Sequence, residues 1–232
     1  MVVEVNDGKS LEVTVDGVRY VRIPIKTHVV LVGDDLTEVV TKYTAGKLVD
    51  GDILFVTEKI VAISQGRSYP VDEIVPRRLA VLLSRYVTKT SYGIGLGIPE
   101  TMEMALRECG TPRILLASAV GAVGKLVRRR GDFYRVAGSK ARGIDGPTKN
   151  TIPPYDSQVV LVPNNPKGVA GQLRTVVGGK IDVAIVDIND LGGNILGSTM
   201  DAASERRLVR ILSDNPLGQG RQSTPLGIIR RA

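Results

Sequence analysis

The sequence predicts an α+β fold in which mixed sheets are flanked by helices. Three observations predict it. Runs rich in β-branched residues, such as 53–63 and 181–188, read as buried strands. Other runs, such as 76–87 and 166–177, carry apolar residues at helical spacing. The two kinds alternate without a strict strand–helix–strand rhythm, which favours a mixed sheet over a doubly wound parallel one. At 232 residues the chain is long enough for a single unit over 1–232 or for two interlocked α+β subdomains.

In chain order, LEVTV, an Asp16-Gly17 turn and VRYVRIPI read as a hairpin. Asp34 or Asp35 can cap the helix LTEVVTKYTA. Asp50-Gly51-Asp52 opens ILFVTEKIVAI, a single buried strand by its composition. Pro76 begins the helix PRRLAVLLSRYV. The glycine-rich loop Tyr92-Gly93-Ile94-Gly95-Leu96-Gly97 leads into the helix PETMEMALREC, and RILLASAVGAVGKLV and a short paired segment, DFYRVAG, follow. The second half reads as a strand (QVVLVP), a helix (PKGVAGQLRTVV), a buried strand (IDVAIVDI) and a loop (LGGNILG). A charged helix (ASERRLVRILSD) and a last strand (PLGIIR) close it.

Composition narrows the chemistry. No apolar run reaches the ~20 residues of a membrane span, and the strand-like N-terminus lacks a signal-peptide block, so the reading is cytoplasmic. A single cysteine, Cys109, excludes a disulfide framework and a cysteine-rich zinc site. The single histidine, His28, lies in an apolar stretch and reads as a packed or partnered residue. Covalent nucleophilic catalysis therefore has little support. The net charge of +7 points to an anionic partner. With 4% aromatic residues and no tryptophan, base stacking is poorly served and nucleic acid is not the expected one. The clusters Arg128-Arg129-Arg130 and Arg230-Arg231 read as solvated surface.

Carboxylates, amides, glycines and basic side chains remain, a set suited to phosphate and oxygen-liganded magnesium or manganese. Asp187 ends a buried strand, where a charge needs a cation or several donors. It is either a ligand or a partner of the glycine-rich turn after it. Asp190 is a second ligand or a turn residue, with the turn favoured. Asp145, in Gly143-Ile144-Asp145-Gly146-Pro147, is turn chemistry by itself, with a ligand role as the alternative. Gly218-Gln219-Gly220-Arg221-Gln222-Ser223-Thr224 could hold phosphate through backbone N–H groups and Arg221, although it lacks the ending of a P-loop. Gly93, Gly95 and Gly97 form another possible cradle, with tight packing as the alternative.

Together these segments resemble the coenzyme F-420 γ-glutamyl ligase family in order and spacing. The residues are Ile23-Pro24-Ile25-Lys26, Gly33-Asp34-Asp35-Leu36, Asp50-Gly51-Asp52 running to Gln65-Gly66-Arg67, Gly143-Ile144-Asp145, Asp187-Ile188-Asn189-Asp190, and the loop from Gly218 to Thr224 before Pro225 and the closing strand. The resemblance implies an intertwined homodimer with an α+β fold. It implies an enzyme that uses GTP (or ATP) and Mg²⁺ or Mn²⁺ to add L-glutamate, through its amino group, to an anionic carboxylate acceptor by way of an acyl phosphate. In the family the acceptor is a coenzyme F-420 precursor.

Carried over, Asp145 and Asp187 are metal ligands and catalytic positions and Gln219 is a further ligand candidate; Asp190, read from the residues alone, is the other metal candidate. Ile23, Pro24, Ile25, Lys26, Glu58, Lys59 and Asn150 surround the nucleotide, with Leu217, Gly218, Gln219, Gly220, Arg221, Gln222, Ser223 and Thr224. The chain departs from the family pattern at Ile188 (threonine in the family), Ile63 (lysine) and Gln65 (glutamate). Asp190-Leu191 stands in place of Gly-Arg. These departures leave the acceptor open, and a nucleotide-binding homologue without catalysis is the alternative reading.

Overall fold

The computed structural model describes residues 8–87, 94–129, 131–149, 151–189, 192–218 and 222–232. β1 (Glu12–Val15) and β2 (Val18–Ile25) are joined by Asp16 and Gly17, at φ 52° and 74°. That primed turn matches the twist of its strands. α1 (Leu36–Thr44) is capped by Asp35, whose carboxylate accepts from the Thr37 N–H at 2.7 Å.

The run expected as one strand breaks in two: β3 (Ile53–Thr57) passes directly into α2 (Glu58–Ser64). Ile60, Val61, Ala62 and Ile63 are all buried, and a helix buried all round leaves no periodicity to distinguish it from a buried strand. Next come β4 (Ser68–Pro70), α3 (Arg78–Ser84), α4 (Pro99–Cys109) and α5 (Thr111–Leu126).

The segment expected to pair is instead α6 (Asp132–Ala137), bracketed by Gly131 and Gly138 at positive φ. Helix packing overrides the β propensity of Phe133, Tyr134 and Val136 here. A Cβ at Gly121 of α5 would stand 3.0 Å from Phe133 Cβ, so glycine lets the two helices approach. α7 (Ser139–Arg142), β5 (Gln158–Val160), α8 (Pro166–Val177) and β6 (Asp182–Asn189) follow. The expected glycine loop is a strand, β7 (Gly192–Ser198). A Cβ on its Gly197 would strike the backbone of Pro166 and Lys167 at the start of α8, so this glycine serves close approach. α9 (Ala202–Ile211) and β8 (Leu226–Arg231) complete the chain.

The chain divides into two units, Met1–Gly66 with Pro163–Ala232, and Arg67–Val162. The first holds a six-stranded sheet ordered β1-β2-β8-β3-β6-β7, in which only β3 and β6 run parallel. This is the mixed sheet with flanking helices that the sequence predicts. Phe55, Ala184, Val186 and Ile229 face a core completed by Leu208, Ile211 and Leu212 at α9. Leu54, Val56, Val183 and Ile185 alternate with them and are equally buried, and α8 packs on β6 and β7.

The second unit is α3 to α7 around the pair β4-β5, with Leu96, Met102, Leu106, Ile114, Ile144 and Val159 in its core. Among the described residues no helix is long and apolar enough to cross a membrane.

Candidate functional site

Strand register carries several of the predicted residues to one end of the six-stranded sheet. Ile25 pairs with Leu226, Leu226 with Val56, and Thr57 with Val186. The last residues of β2 and β3, the first of β8 and Val186 of β6 therefore lie side by side. β6 does not end at Asp187, as the sequence suggests, but runs on to Asn189 because the glycine-rich segment after it pairs back as β7. The Thr57 N–H also donates to the Pro225 carbonyl at 2.9 Å. Lys26 leaves this end exposed, Glu58 and Lys59 open α2 half-buried, and Asp187 lies one residue beyond the β3–β6 register. Ile23, Pro24 and Ile25 are paired residues of β2. Asp187 is half-buried opposite Asn194, on the sheet face that carries Val183 and Ile185.

The described parts of the 217–224 segment are tied to this end. Asn215, 1% exposed and at φ 51°, donates through Nδ2 to the Gly218 carbonyl at 3.0 Å, and the Gly218 N–H returns a bond to the Asn215 carbonyl at 3.1 Å. The Thr224 hydroxyl donates to the Leu217 carbonyl at 3.0 Å. The Thr27 N–H donates to the Ser223 carbonyl at 2.9 Å, and the Ser223 hydroxyl returns to the Thr27 carbonyl at 3.1 Å. Ser223 sits at φ 52°, a conformation a serine adopts only when its surroundings hold it there. Gln222 stands against Gly218, its amide 3.3 Å from where a Cβ would be. Gln219, Gly220 and Arg221 lie outside the described residues, as do Asn150 and Asp190.

His28 follows Thr27 and is partnered. Its Nδ1 meets the Tyr43 hydroxyl and its Nε2 meets Asp34, both at 3.0 Å. The Leu31 N–H and then His28 hold the Asp34 carboxyl below its usual range.

Asp145 belongs to the second unit. Its neighbour Ile144 is buried, whereas Asp145 is exposed, and its backbone exchanges two 2.9 Å hydrogen bonds with Val160. Gly143 leaves room for the Val162 side chain, and a Cβ at Gly146 would sit 3.2 Å from Thr101 Cγ2. This turn anchors itself through Ile144 and turns its carboxylate outward. Gly95 packs against the Tyr134 hydroxyl and Leu96 is fully buried, which is the packing alternative for that glycine cluster; Gly93 lies outside the described residues.

Carboxylate oxygens such as those of Asp187 and Asp145 suit magnesium or manganese in their chemistry. Among the described residues no group of three or more His, Cys, Asp or Glu side chains is placed to hold an ion.

Three of the departures from the family pattern have a local reason; Asp190-Leu191 lies outside the described residues. Ile63, 2% exposed, is a core residue, and a lysine there would bury its charge. The Gln65 amide both donates to the Asn164 carbonyl at 2.9 Å and accepts from the Asn164 N–H at 2.7 Å. A glutamate could make only the second bond. Ile188 packs into the core beneath α9, on the sheet face opposite Asp187.

Thr27, Arg22, Asp214 and Asn215 escaped sequence reasoning. The only hints were the second arginine of VRYVRIPI and the Asp-Asn-Pro turn ahead of the glycine loop, and neither identifies a partner. A family model described as F420-0:Gamma-glutamyl ligase matches residues 24–199. No curated protein matches the chain.

Proposed function

The chain belongs to the F420-0:γ-glutamyl ligase family, and on that premise we propose that it is a nucleotide- and divalent-metal-dependent amide ligase joining L-glutamate to a carboxylate acceptor. The observation that carries this reading is the gathering of Lys26, Glu58, Lys59, Asp187 and the flanks of the 217–224 segment at one end of a single sheet. Ligands collect at such strand ends, where backbone groups and side chains leave the ladder together.

A carboxylate resists attack by an amine until a better leaving group is attached. Phosphoryl transfer from GTP or ATP supplies it, leaving nucleoside diphosphate and an acyl phosphate. The glutamate amine then forms the amide and releases phosphate. In this reading residues 217–224, Lys26, Glu58, Lys59 and Asn150 hold the nucleotide. Asp187 offers oxygen ligands to Mg²⁺ or Mn²⁺, and Asp145, Asp190 and Gln219 are the further candidates. The ion neutralises triphosphate charge when bound. Orientation and fixed charge carry most of the rate. A homodimer is part of the proposal, supported by the exposed Leu115, Leu116, Val120, Val123, Leu126 and Val127 along α5.

Incubation with GTP or ATP, Mg²⁺ or Mn²⁺, glutamate and candidate carboxylates, the family's deazaflavin precursor among them, should release phosphate only when an acceptor is present. Asp187→Ala should abolish it. Undiminished turnover in that variant would remove Asp187 from the reaction. Saturable nucleotide binding without turnover on any acceptor would select the non-catalytic homologue.

A further inference from the structure

Among the described residues Arg22 heads the largest buried side chains, at 1% exposure in the middle of β2. Its guanidinium forks onto both Asp214 oxygens, reaches the Ile211 carbonyl at 3.1 Å and the Ser10 carbonyl at 2.6 Å. Its Nε is buried with no hydrogen-bond partner among the described residues. A buried cation with one donor unpaired is a costly way to fill a core position that a methionine or leucine could occupy. What it holds explains its presence. Ile211 ends α9, and Asp214 directly precedes Asn215, whose backbone and side chain close on Gly218 from both sides. The Asp214 carbonyl is gripped as well, by Lys9 Nζ at 2.8 Å. Burial disfavours the Asp214 carboxylate, but the Arg22 hydrogen bonds outweigh it and keep the group ionised below its usual range.

We infer that Arg22, Asp214 and Asn215 form a positioning unit that sets the first foot of the 217–224 segment, as Thr27 and Ser223 set the second. Its functional consequence rests on the ligase reading above. None of the three needs to touch the nucleotide. They fix the direction in which Leu217 and Gly218 leave α9, and so the placement of whatever that segment binds. Asn215 suits the role because asparagine tolerates a left-handed backbone while its amide spans the turn.

The test uses the full chain and two readouts, amide hydrogen exchange without ligand and calorimetric titration with GTP in Mn²⁺. Asn215→Gly keeps the left-handed backbone available and removes the side-chain amide that spans the turn. Arg22→Met removes the fork and keeps the core filled. Loss of about one hydrogen bond's worth of order predicts roughly tenfold faster exchange at Leu217 and Gly218 in both variants, with β3 and β6 unchanged. It also predicts roughly tenfold weaker nucleotide binding. Arg22→Lys, which keeps the charge but not the fork, should not rescue either readout.

Exchange that rises equally across the whole sheet, or not at all in Asn215→Gly, would overturn the positioning unit. So would wild-type nucleotide affinity in both variants. A wild-type chain that binds neither GTP nor ATP would sink the nucleotide reading alone, and the exchange pattern would still decide the positioning unit.

Discussion

The two units bury charge in opposite ways. In the sheet unit each buried ion has one principal partner of opposite sign: Arg22 grips Asp214, and Asp52 takes both arms of the Arg230 fork at 2.9 and 2.7 Å. In the helical unit the buried or half-buried ions are carboxylates, each between two cations. Glu103 lies between Arg77 and Arg107, Glu108 between Arg67 and Lys140, and Asp132 between Arg129 and Arg135. Six cations of the helical unit are thus engaged in holding its own acids. The net positive charge overstates what that unit offers an external anion. Arg129 and Arg230, which read as solvated surface in the sequence, are both paired. The lesson is to ask what each cation already holds before assigning it a ligand.

The sharpest way to break the comparison is to overpack the sheet. Its centre is covered on both faces, and a Cβ at Gly227 would run into the ring of its cross-strand neighbour Phe55. Gly227→Val should cost about 3 kcal/mol in urea unfolding. A cost near zero would show that Phe55 has room to move.

Next in size is Glu103→Gln in the helical unit. Glu103 is 2% exposed; burial disfavours its charge, but Arg77 and Arg107 outweigh that and lower it below the ordinary 4.5. The stability it contributes is complete above the ordinary value and is lost as pH falls through the lower folded value. Glu103→Gln should cost about 2 kcal/mol at pH 7 and flatten the acid limb of a stability–pH curve. An unchanged acid limb would mean that Glu103 is not the group lost there.

Smaller again is Gln65→Glu, the residue the family pattern would place there. It gives up the donor to the Asn164 carbonyl and sets a carboxylate against it, for about 1 kcal/mol. A more stable variant would refute the structural reason given for Gln65.

Smallest is Leu116→Ser on the outer face of α5, where surface substitutions cost within ~0.5 kcal/mol. A loss of 2 kcal/mol or more that grows with dilution would show a second copy covering that face, which light scattering would confirm.

Much of this was legible in the sequence, for identifiable reasons. The Asp16-Gly17 hairpin, the cap at Asp35 and the helix opened by Pro166 carry their own chemistry, and each stands where it was predicted. α2 was hidden because complete burial erases helical periodicity. α6 was hidden because small residues on a neighbouring helix, Gly121 and Gly124, decided its packing. β7 was hidden because its glycine content looks like a loop, whereas Gly197 serves the close approach of α8. At the sheet end, Lys26 and Asp187 could be found as polar residues closing apolar runs, although β6 itself continues past Asp187 to Asn189. Arg22 and Asn215 could not, because their partners lie at the far end of the chain or inside a turn.

The central claim is that the end of the six-stranded sheet holds a metal-bound nucleotide with Asp187 as an oxygen ligand. Calorimetric titration of GTP or ATP in Mn²⁺ into wild type and Asp187→Asn tests it most directly. The prediction is saturable binding to wild type that disappears with chelator, and at least about tenfold weaker binding to the variant at an unchanged melting temperature. Equal affinity in the two proteins, with or without metal, would contradict it.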